Sequence, residues 1–349
     1  MDPRKKQLEQ WCAQHFNLDT VALSDVSGDA SFRRYFRYQT GDKAFILMDA
    51  PPEKEDSSRF VSIGQHWYRQ GIPVPAILNE DLAQGFMLLE DFGDRQLFSA
   101  LLSNAKPDVS NGQRLYSKAI SLLHKIQDID DDSRHPLLPY DEALFRREMA
   151  LFTDWLLAEA LALSLDSNVA KALQQNFDTL VNCALAQVQV PVHRDYHSRN
   201  LMLRPDNSIG LIDFQDAVSG PYTYDLVSLL RDCYVAWPQS LITELCQTYQ
   251  HQTTHAKISQ LTRQHFQRDF DLMGLQRHLK AAGIFARLAL RDGKVGYLDD
   301  IPRTLNYIVD VSGKYPELNA LHQLVTTHVL PRMTEQLGAL KQRIVSAEA

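Results

Sequence analysis

The segment that runs from His193 to Asn200 is dense in side chains that can move protons or hold cations. Asp195 and Asn200 stand within it, and Asp213 follows thirteen residues beyond Asn200, at the end of a short apolar stretch. A positioned carboxylate can take the proton of an attacking hydroxyl, and carboxylate and amide oxygens are the ligands that Mg²⁺ prefers. The three residues predict phosphoryl transfer, with Asp195 as the catalytic base and Asn200 and Asp213 as metal ligands.

The same segment, HRDYHSRN, matches the H-R-D-x-x-x-x-N catalytic loop of protein kinases, and Asp213-Phe214 matches the start of their metal-binding element. The chain then departs from that template, because Gln215 replaces the expected glycine and little room remains for a long activation segment before Tyr224-Asp225. The pattern H-x-D-x-x-x-x-N, I-D-F and Y-D-L resembles instead the aminoglycoside phosphotransferase and choline kinase superfamily. This resemblance implies that Asp225 braces the catalytic loop.

A closer resemblance links the chain to the anomeric N-acetylmuramate/N-acetylglucosamine kinases of bacterial cell-wall recycling. It is carried by blocks at residues 28–37 (GDASFRRYFR), 192–202 (VHRDYHSRNLM), 212–232 (IDFQDAVSGPYTYDLVSLLRD) and 269–288 (DFDLMGLQRHLKAAGIFARL). The blocks are spread over most of the chain, so the resemblance covers the whole protein. It implies the use of ATP and Mg²⁺, phosphorylation of the anomeric hydroxyl, and a product destined for uridylyl transfer toward UDP-N-acetylmuramate.

Hydrophobic periodicity predicts an α+β protein with the two lobes of a protein-kinase-like fold. Residues 1–92 indicate a small β-rich nucleotide-binding lobe with one helix, at about residues 57–69. Residues 93–349 change to helical patterns and indicate a larger catalytic and acceptor-binding lobe. Two apolar strands, at 190–192 and 209–212, are expected to form a hairpin inside this second lobe and to present the catalytic residues at adjacent strand ends.

The turn between the first two predicted strands lies where a phosphate-covering loop belongs. We expect three of its residues to contact the nucleotide: Gly28, Asp29 and Ser31. Farther along, Glu90 and Phe92 fall where a kinase hinge offers backbone hydrogen bonds to adenine.

Protein kinases place a phosphate-binding lysine on the third strand, and this chain has Met48 and Asp49 there instead. A guanidinium from Arg33 or Arg34 is the predicted replacement, since its fork of donors suits phosphate oxygens. The alternative is that both are solvated surface arginines.

Basic residues on one predicted helix point to the chemistry of the acceptor. Arg277, Lys280, Arg287 and Arg291 recur at intervals of 3, 7 and 4, on the face opposite the leucine stripe of the same helix. Cationic aminoglycosides would call for carboxylates, whereas basic groups suit a neutral or anionic acceptor such as N-acetylmuramate. Arg277 and Lys280 are therefore expected to bind the acceptor, and a solvated helix face is the alternative.

Other candidates come from position alone. His197 and Arg231 are expected near the acceptor, and Asp154 with Trp155 forms a second candidate pair, with Trp155 as plain core the alternative. Arg199, inside the catalytic loop, is predicted to stabilise the transferred phosphate, unless it pairs with Asp216 or Asp225.

Composition limits the partners. The 349 residues carry a net charge of -7, which disfavours nucleic acid and anionic membrane surfaces. Four scattered cysteines without a C-x-x-C pair, together with the lack of a signal peptide pattern, predict a cytoplasmic protein with small-molecule partners and no obligate protein partner.

Two other functions are consistent with the same motif. One is a kinase for a different small alcohol, such as an aminoglycoside, choline or homoserine. The other is a nucleotide-binding regulator without turnover.

Overall fold

The structure, a computed structural model, describes residues 2–26, 32–130 and 136–348, with the side chains of residues 347 and 348 excepted. Strands and helices separate along the described chain as expected for an α+β protein. They form two compact units: the first contains Met1–Ala100, Ile129–Pro136 and Arg199–Ala217, and the second contains Leu101–Asp128, Leu137–Ser198 and Val218–Ala349.

The strands of the described residues are short. In chain order they are β1 (Ser24–Val26), β2 (Arg34–Thr40), β3 (Lys43–Asp49), β4 (Ile77–Asp81), β5 (Phe86–Glu90), β6 (Leu102–Ser103), β7 (Lys106–Pro107), β8 (Leu138–Pro139), β9 (Gln189–Val192), β10 (Leu201–Leu203), β11 (Ile209–Leu211) and β12 (Val218–Pro221).

Helices make up most of the second unit. The α-helices are α1 (Pro3–Phe16), α2 (Ser58–Arg69), α3 (Leu97–Ala100), α4 (Val109–Gln127), α5 (Glu142–Leu151), α6 (Ser167–Ala186), α7 (Tyr224–Leu230), α8 (Gln239–Gln252), α9 (Ala256–Ser259), α10 (Arg263–Asp292), α11 (Ile301–Ser312), α12 (Asn319–Leu324) and α13 (Leu330–Glu348). Two π-helical stretches (Phe152–Ala160 and Val325–Val329) and two 3₁₀ turns (Val295–Asp300 and Pro316–Leu318) continue them.

A five-stranded antiparallel sheet of order β1-β2-β3-β5-β4 forms the centre of the first unit. The β-rich character predicted for the N-terminal part of the chain is confirmed. Helix α1 covers one face of the sheet, where its Leu8 and Cys12 share a buried cluster with Phe36, Leu47 and Leu88. The expectation of one helix before residue 93 was wrong, since α1 and α2 both occur there.

The strands around the catalytic loop do not pair as predicted. Strand β9 pairs with β12, whereas β11 pairs with β10, a strand of three residues that the sequence patterns did not reveal. The predicted hairpin of residues 190–192 with 209–212 is therefore wrong. The turn after β10 instead joins two strands of the first unit, and β9 belongs to the second.

Helix α10, thirty residues long, runs through the second unit and packs against α5, α6, α7 and α11. Because neighbours surround it, its middle is buried on nearly every side, and Arg277 and Lys280 are only 6% and 8% exposed. Their location on a solvated helix face is therefore excluded. None of the helices in the described part of the chain is both long and apolar enough to cross a membrane.

Candidate active site

The catalytic loop is held by Asp225, the first acidic residue of α7. Its Oδ2 accepts the backbone N–H of His193 at 2.6 Å, and its Oδ1 accepts that of Arg194 at 3.0 Å. Arg194 has a left-handed backbone with φ of 77°, which is unfavourable for a non-glycine residue. Burial raises the pKa of the Asp225 carboxyl to about 7, and its two hydrogen bonds to the backbone stabilise this turn. The expected bracing role of Asp225 is thus confirmed.

Asp232 holds the other end of the same loop segment. Its Oδ2 accepts the backbone N–H of Ser198 at 3.0 Å and the Ser198 hydroxyl at 2.5 Å, and its Oδ1 accepts the backbone N–H of Tyr234 at 3.0 Å. The loop is consequently fixed by two buried carboxylates, one on either side of Asp195. Only the first of them was assigned this role from the sequence.

Asp195 is half-buried and lies in a positively charged environment. Burial alone would raise the pKa of its carboxyl group, but the charges of Lys280, His197 and Arg194 outweigh burial and lower this pKa to about 2. Asp195 is therefore ionised throughout the physiological pH range. It can accept a hydrogen bond from a hydroxyl at any such pH.

The cations around Asp195 are positioned by Glu148, a buried residue of α5 that the sequence analysis did not select. Glu148 Oε1 lies 2.6 Å from Arg194 Nη2 and 3.1 Å from Lys280 Nζ. Its Oε2 accepts hydrogen bonds from Gln276 at 3.2 Å and from the hydroxyl of Tyr140. Burial acts to raise the pKa of Glu148, but Lys280 and Arg194 lower it further, so the carboxylate stays charged.

The position of Glu148 in the sequence gives a weak indication of its buried role. It falls next to Met149, on the apolar helical stripe that includes Phe145. A carboxylate within such a stripe indicates a buried, paired charge, because an unpaired one would be strongly destabilising.

The remaining acceptor candidates have different surroundings. Arg231 is buried and lies 2.6 Å from Asp271 Oδ1, so its charge is neutralised inside the second unit. His197 contacts the ring of Tyr234 edge-on, with centroids 5.4 Å apart. Their predicted contacts with the acceptor remain predictions.

The π-helical stretch Phe152–Ala160 carries the exposed Asp154 and the half-buried Trp155. Such distortions of a helix often accompany functional sites. Here the backbone of α10 approaches very closely, because a Cβ on Gly283 would lie 2.2 Å from the carbonyl carbon of Leu151. The structure does not assign a ligand to either Asp154 or Trp155.

In the first unit, Asn200 and Asp213 lie together beside the β10–β11 pair. The backbone N–H of Ile212 donates to the Asn200 carbonyl at 3.1 Å, and Asn200 Nδ2 lies 3.4 Å from Asp213 Oδ2. Asp213 has a left-handed φ of 66°, and its Oδ1 accepts a hydrogen bond from Gln215 Nε2 at 2.7 Å. The side-chain amide of Asn200 and the carboxylate of Asp213 thus lie side by side, and both groups carry the oxygen ligands that Mg²⁺ prefers.

Buried aromatic packing holds the residue after Asp213. The ring of Phe214 contacts Phe60 and Trp67 of α2, with centroids 4.8 Å and 6.2 Å apart.

Arg199 lies with its guanidinium 5.4 Å from the ring of Phe98. Its predicted role toward the phosphate is not tested by this contact.

The end of β3 at which a phosphate-binding lysine was expected carries a buried carboxylate, whereas Lys43 is exposed at the other end of this strand. Asp49, fully buried on β3, accepts hydrogen bonds from Arg4 Nε at 2.9 Å and from Arg34 Nε at 3.1 Å. Arg34 also pairs with Asp2. Its charge is therefore balanced by two carboxylates and is poorly placed to serve a phosphate.

Arg33, the other candidate, forms an ion pair with Glu55 at 3.0 Å. Its side chain is only 11% exposed, which rules out a freely solvated surface arginine. An arginine paired with a glutamate resembles the lysine–glutamate pair that kinases use at their phosphate site. Of the two arginines, Arg33 fits the phosphate-binding prediction better.

The hinge candidates are fixed by packing within the first unit. Glu90 Oε1 lies 3.1 Å from Arg204 Nη2, and the guanidinium of Arg204 stacks 4.7 Å from the ring of Phe92. The predicted phosphate-covering residues Gly28, Asp29 and Ser31 lie outside the described residues.

Comparison with known protein families identifies the class to which these residues belong. The family described as "Phosphotransferase enzyme family" matches residues 22–261. The chain belongs to this family. Its reaction is therefore phosphotransfer, as the spacing of Asp195, Asn200 and Asp213 predicts.

Curated relatives extend the match over nearly the whole chain. The N-acetylmuramate/N-acetylglucosamine kinase of Pseudomonas aeruginosa is 42% identical over 314 residues, covering 90% of this chain and 90% of the relative. The kinase of the same name from Neisseria meningitidis is 38% identical, covering 92% of this chain and 95% of the relative. The family resemblance drawn from the four sequence blocks is confirmed.

Solved structures confirm the kinase-like fold of this phosphotransferase. An ADP-bound aminoglycoside phosphotransferase superposes with a TM-score of 0.58 at 14% identity, covering 89% of this chain and 99% of that one. A choline kinase from Streptococcus pneumoniae gives a TM-score of 0.62 at 12% identity, covering 88% and 100%. The predicted α+β fold class is thus correct.

Proposed function

We propose that this phosphotransferase uses ATP to phosphorylate the anomeric hydroxyl of N-acetylmuramate and N-acetylglucosamine. The proposal is supported by the names of its relatives at about 40% identity. The observation that carries it is the set of buried basic residues beside Asp195, with Lys280 and Arg277 both on α10. This charge suits a neutral or anionic sugar and disfavours a cationic acceptor.

In the proposed reaction, Asp195 orients the acceptor. The anomeric oxygen forms a bond to the γ-phosphorus while the bond from that phosphorus to the bridging oxygen breaks, and ADP leaves with the electron pair. The hydroxyl proton passes to Asp195 and then to solvent. A carboxyl group with a pKa of about 2 is a weak base, so we infer that it acts mainly by hydrogen bonding until the new P–O bond has formed.

Asn200 and Asp213, whose side chains contact each other from Nδ2 to Oδ2 at 3.4 Å, would hold Mg²⁺ through their side-chain oxygens. The ion would neutralise charge on the nucleotide phosphates. Arg33 and Arg199 would add positive charge there, and the backbone around Glu90 and Phe92 would bind adenine. The loop of Gly28, Asp29 and Ser31 would cover the phosphates.

The cellular role follows from the product. A sugar 1-phosphate of this kind is the substrate for uridylyl transfer toward UDP-N-acetylmuramate, so we place the protein in peptidoglycan recycling in the cytoplasm. Its partners would be ATP and the amino sugar, with no obligate protein partner.

A kinase acting on aminoglycosides, choline or homoserine is the alternative. The aminoglycoside phosphotransferases and choline kinase among the solved structures share the fold at 12–15% identity, which bears on architecture alone. The basic surroundings of Asp195 argue against the two cationic acceptors, aminoglycosides and choline.

The decisive experiment is ATP turnover with each amino sugar, with ³¹P NMR locating the new ester. Asp195→Asn serves as the control because it keeps the side-chain shape and removes the charge. Phosphate on the anomeric carbon, abolished in the control, is the expected result. Nucleotide binding without transfer to either sugar would contradict the proposal and would favour a different acceptor or a regulator.

A further inference from the structure

Two of the basic side chains buried beside the catalytic loop are neutralised by carboxylates. Lys280 Nζ lies 3.1 Å from Glu148 Oε1, and Arg231 Nη2 lies 2.6 Å from Asp271 Oδ1. Such pairs are satisfied without a ligand. Neither cation needs an anionic substrate to balance its charge.

Arg277 is different. It is 6% exposed, yet no carboxylate oxygen of the described residues lies within 4.0 Å of its guanidinium. Its one hydrogen bond to these residues runs from Nη1 to the thiol sulfur of Cys233, at 3.8 Å. A thiol is a weak acceptor, and a buried guanidinium without a partner charge is strongly destabilising. Arginine does not lose its proton, so a bound anionic ligand would supply the close counter-charge that the described residues do not.

The guanidinium is not closed off from ligands. Its Nε and Nη2 have no hydrogen-bond partner among the described residues, and neither is sealed from solvent. Residues that follow Arg277 on the same face of α10 are half-buried, namely Ala281, Ile284 and Arg287. Ala282, on the neighbouring face, is fully buried. Arg277 thus lies at the closed end of a face that opens along the helix.

Arg277 also lies near the reacting group. Burial acts to lower the pKa of its guanidinium, but Cys233, Tyr224 and the charges of Asp232 and Asp195 raise it. An anion bound at Arg277 would therefore lie close to the hydroxyl that Asp195 orients. In N-acetylmuramate the lactyl ether on C3 places a carboxylate a short distance from the anomeric oxygen, and N-acetylglucosamine has only a hydroxyl there.

We propose that Arg277 binds the lactyl carboxylate of N-acetylmuramate and sets the preference for this sugar over N-acetylglucosamine. The inference rests on the proposed function and names one specificity-determining residue within it. Arg277 is a binding residue, so its loss would chiefly raise the KM for the anionic sugar.

The test compares kcat/KM for both sugars in the wild type and in Arg277→Ala and Arg277→Lys. We expect Arg277→Ala to lower kcat/KM for N-acetylmuramate about 10- to 100-fold more than for N-acetylglucosamine, the range of a charge-assisted hydrogen bond. Arg277→Lys should keep part of the preference. Arg268→Ala is the matched control, since it removes an exposed arginine of α10 that pairs with Glu317, and it should leave the ratio unchanged. Equal losses for both sugars would overturn the inference and indicate that Arg277 contacts the transferred phosphate.

A change on the substrate side does not depend on any variant folding. The carboxamide of N-acetylmuramate keeps the shape of the lactyl group and removes its charge. Wild-type kcat/KM should fall about 10-fold or more on the amide. Equal wild-type rates on acid and amide would overturn the inference while leaving the proposed function intact. Transfer to neither sugar would instead contradict the proposed function, and this inference with it.

Discussion

Arg194 Nη2 donates a hydrogen bond to Glu148 Oε1 at 2.6 Å, and so joins the catalytic loop to helix α5. The same carboxylate oxygen lies 3.1 Å from Lys280 Nζ of α10. One buried negative charge thus fixes two of the cations that act on Asp195. The electrostatics of the base therefore depend on a residue that need not contact either substrate.

Removing this carboxylate should destabilise the protein. Glu148→Ala would leave Arg194 and Lys280 buried without a counter-charge, and we expect the free energy of unfolding to fall by about 3–5 kcal/mol. Denaturant unfolding would measure the change. Glu142→Ala is the matched control, because its partner Arg146 is on the surface and such pairs contribute less than about 1 kcal/mol. Similar effects of the two substitutions would contradict the central role of Glu148.

The pH dependence of activity should report on Lys280. Because the pKa of Asp195 is lowered to about 2, protonation of this group should not limit wild-type kcat/KM above about pH 4. Lys280→Met removes the leading favourable charge, so the acidic limb should move upward by about one pH unit or more. Lys171→Met, on the exposed surface of α6, should leave the profile in place. An unchanged limb in Lys280→Met would show that Lys280 does not act on Asp195.

The same lowered pKa has a consequence for stability. Since the folded protein favours the ionised form of Asp195, this contribution is fully present above the ordinary pKa of 3.8 and is lost as the pH falls toward 2.

The reaction class was predictable from the sequence because the proposed catalytic residues lie close together along it. The motif from Asp195 to Asp213 contains the proposed base and both proposed metal ligands, and their spacing alone predicts phosphotransfer. Glu148 was not predictable in the same way, since it is far from this motif in the sequence. Its partners on the catalytic loop and α10 depend on how distant helices pack.

Magnesium dependence tests the pair in the first unit. Asp213→Asn removes one negative ligand while tolerating the left-handed backbone at this position better than alanine would. We expect the Mg²⁺ concentration for half-maximal activity to rise by about 10-fold or more. Asp42→Asn, exposed in the turn between β2 and β3, is the control for loss of a surface charge. An unchanged Mg²⁺ requirement in Asp213→Asn would contradict the assigned role.

Substitution by alanine should change the stability of the protein in opposite directions at two glycines. Gly283→Ala would place a Cβ 2.2 Å from the carbonyl carbon of Leu151, so α10 and the π-helical stretch would have to separate, at about 3 kcal/mol. Gly338→Ala on α13 meets nothing within 4 Å and should stabilise the protein by up to about 1 kcal/mol. Thermal unfolding would compare the two. A tolerated Gly283→Ala would show that this close approach is not required.

Substitution of the buried Asp49 should lower the stability of the fold and should have little effect on ATP binding. Asp49→Ala leaves Arg4 and Arg34 without their shared carboxylate, but both arginines are partly exposed, which limits the expected loss to about 1–3 kcal/mol. The KM for ATP should change far less than in Arg33→Ala, which should raise it. A larger effect on ATP binding in Asp49→Ala would reverse the roles given to these residues.

The surroundings of the third strand, β3, could not be predicted from the sequence. The sequence showed that no lysine lies near Met48. It did not show that Arg4 of α1 and Arg34 of β2 would pair with Asp49 at this point. Helix α1 was not predicted, because its apolar face is narrow and only Leu8, Cys12 and Ala13 are buried. Similarly, Arg277 is buried because other helices pack around α10. The spacing of residues along α10 does not predict which helices these are.

The first unit takes its residues from three separate stretches, Met1–Ala100, Ile129–Pro136 and Arg199–Ala217. A ribosome making this chain releases the strands of the five-stranded sheet early, and it releases Asn200 and Asp213 much later. A nascent chain that already has a folded sheet therefore still lacks both proposed ligands for the ion. Assembly of the proposed ion site therefore has to wait until more than half of the protein has been translated.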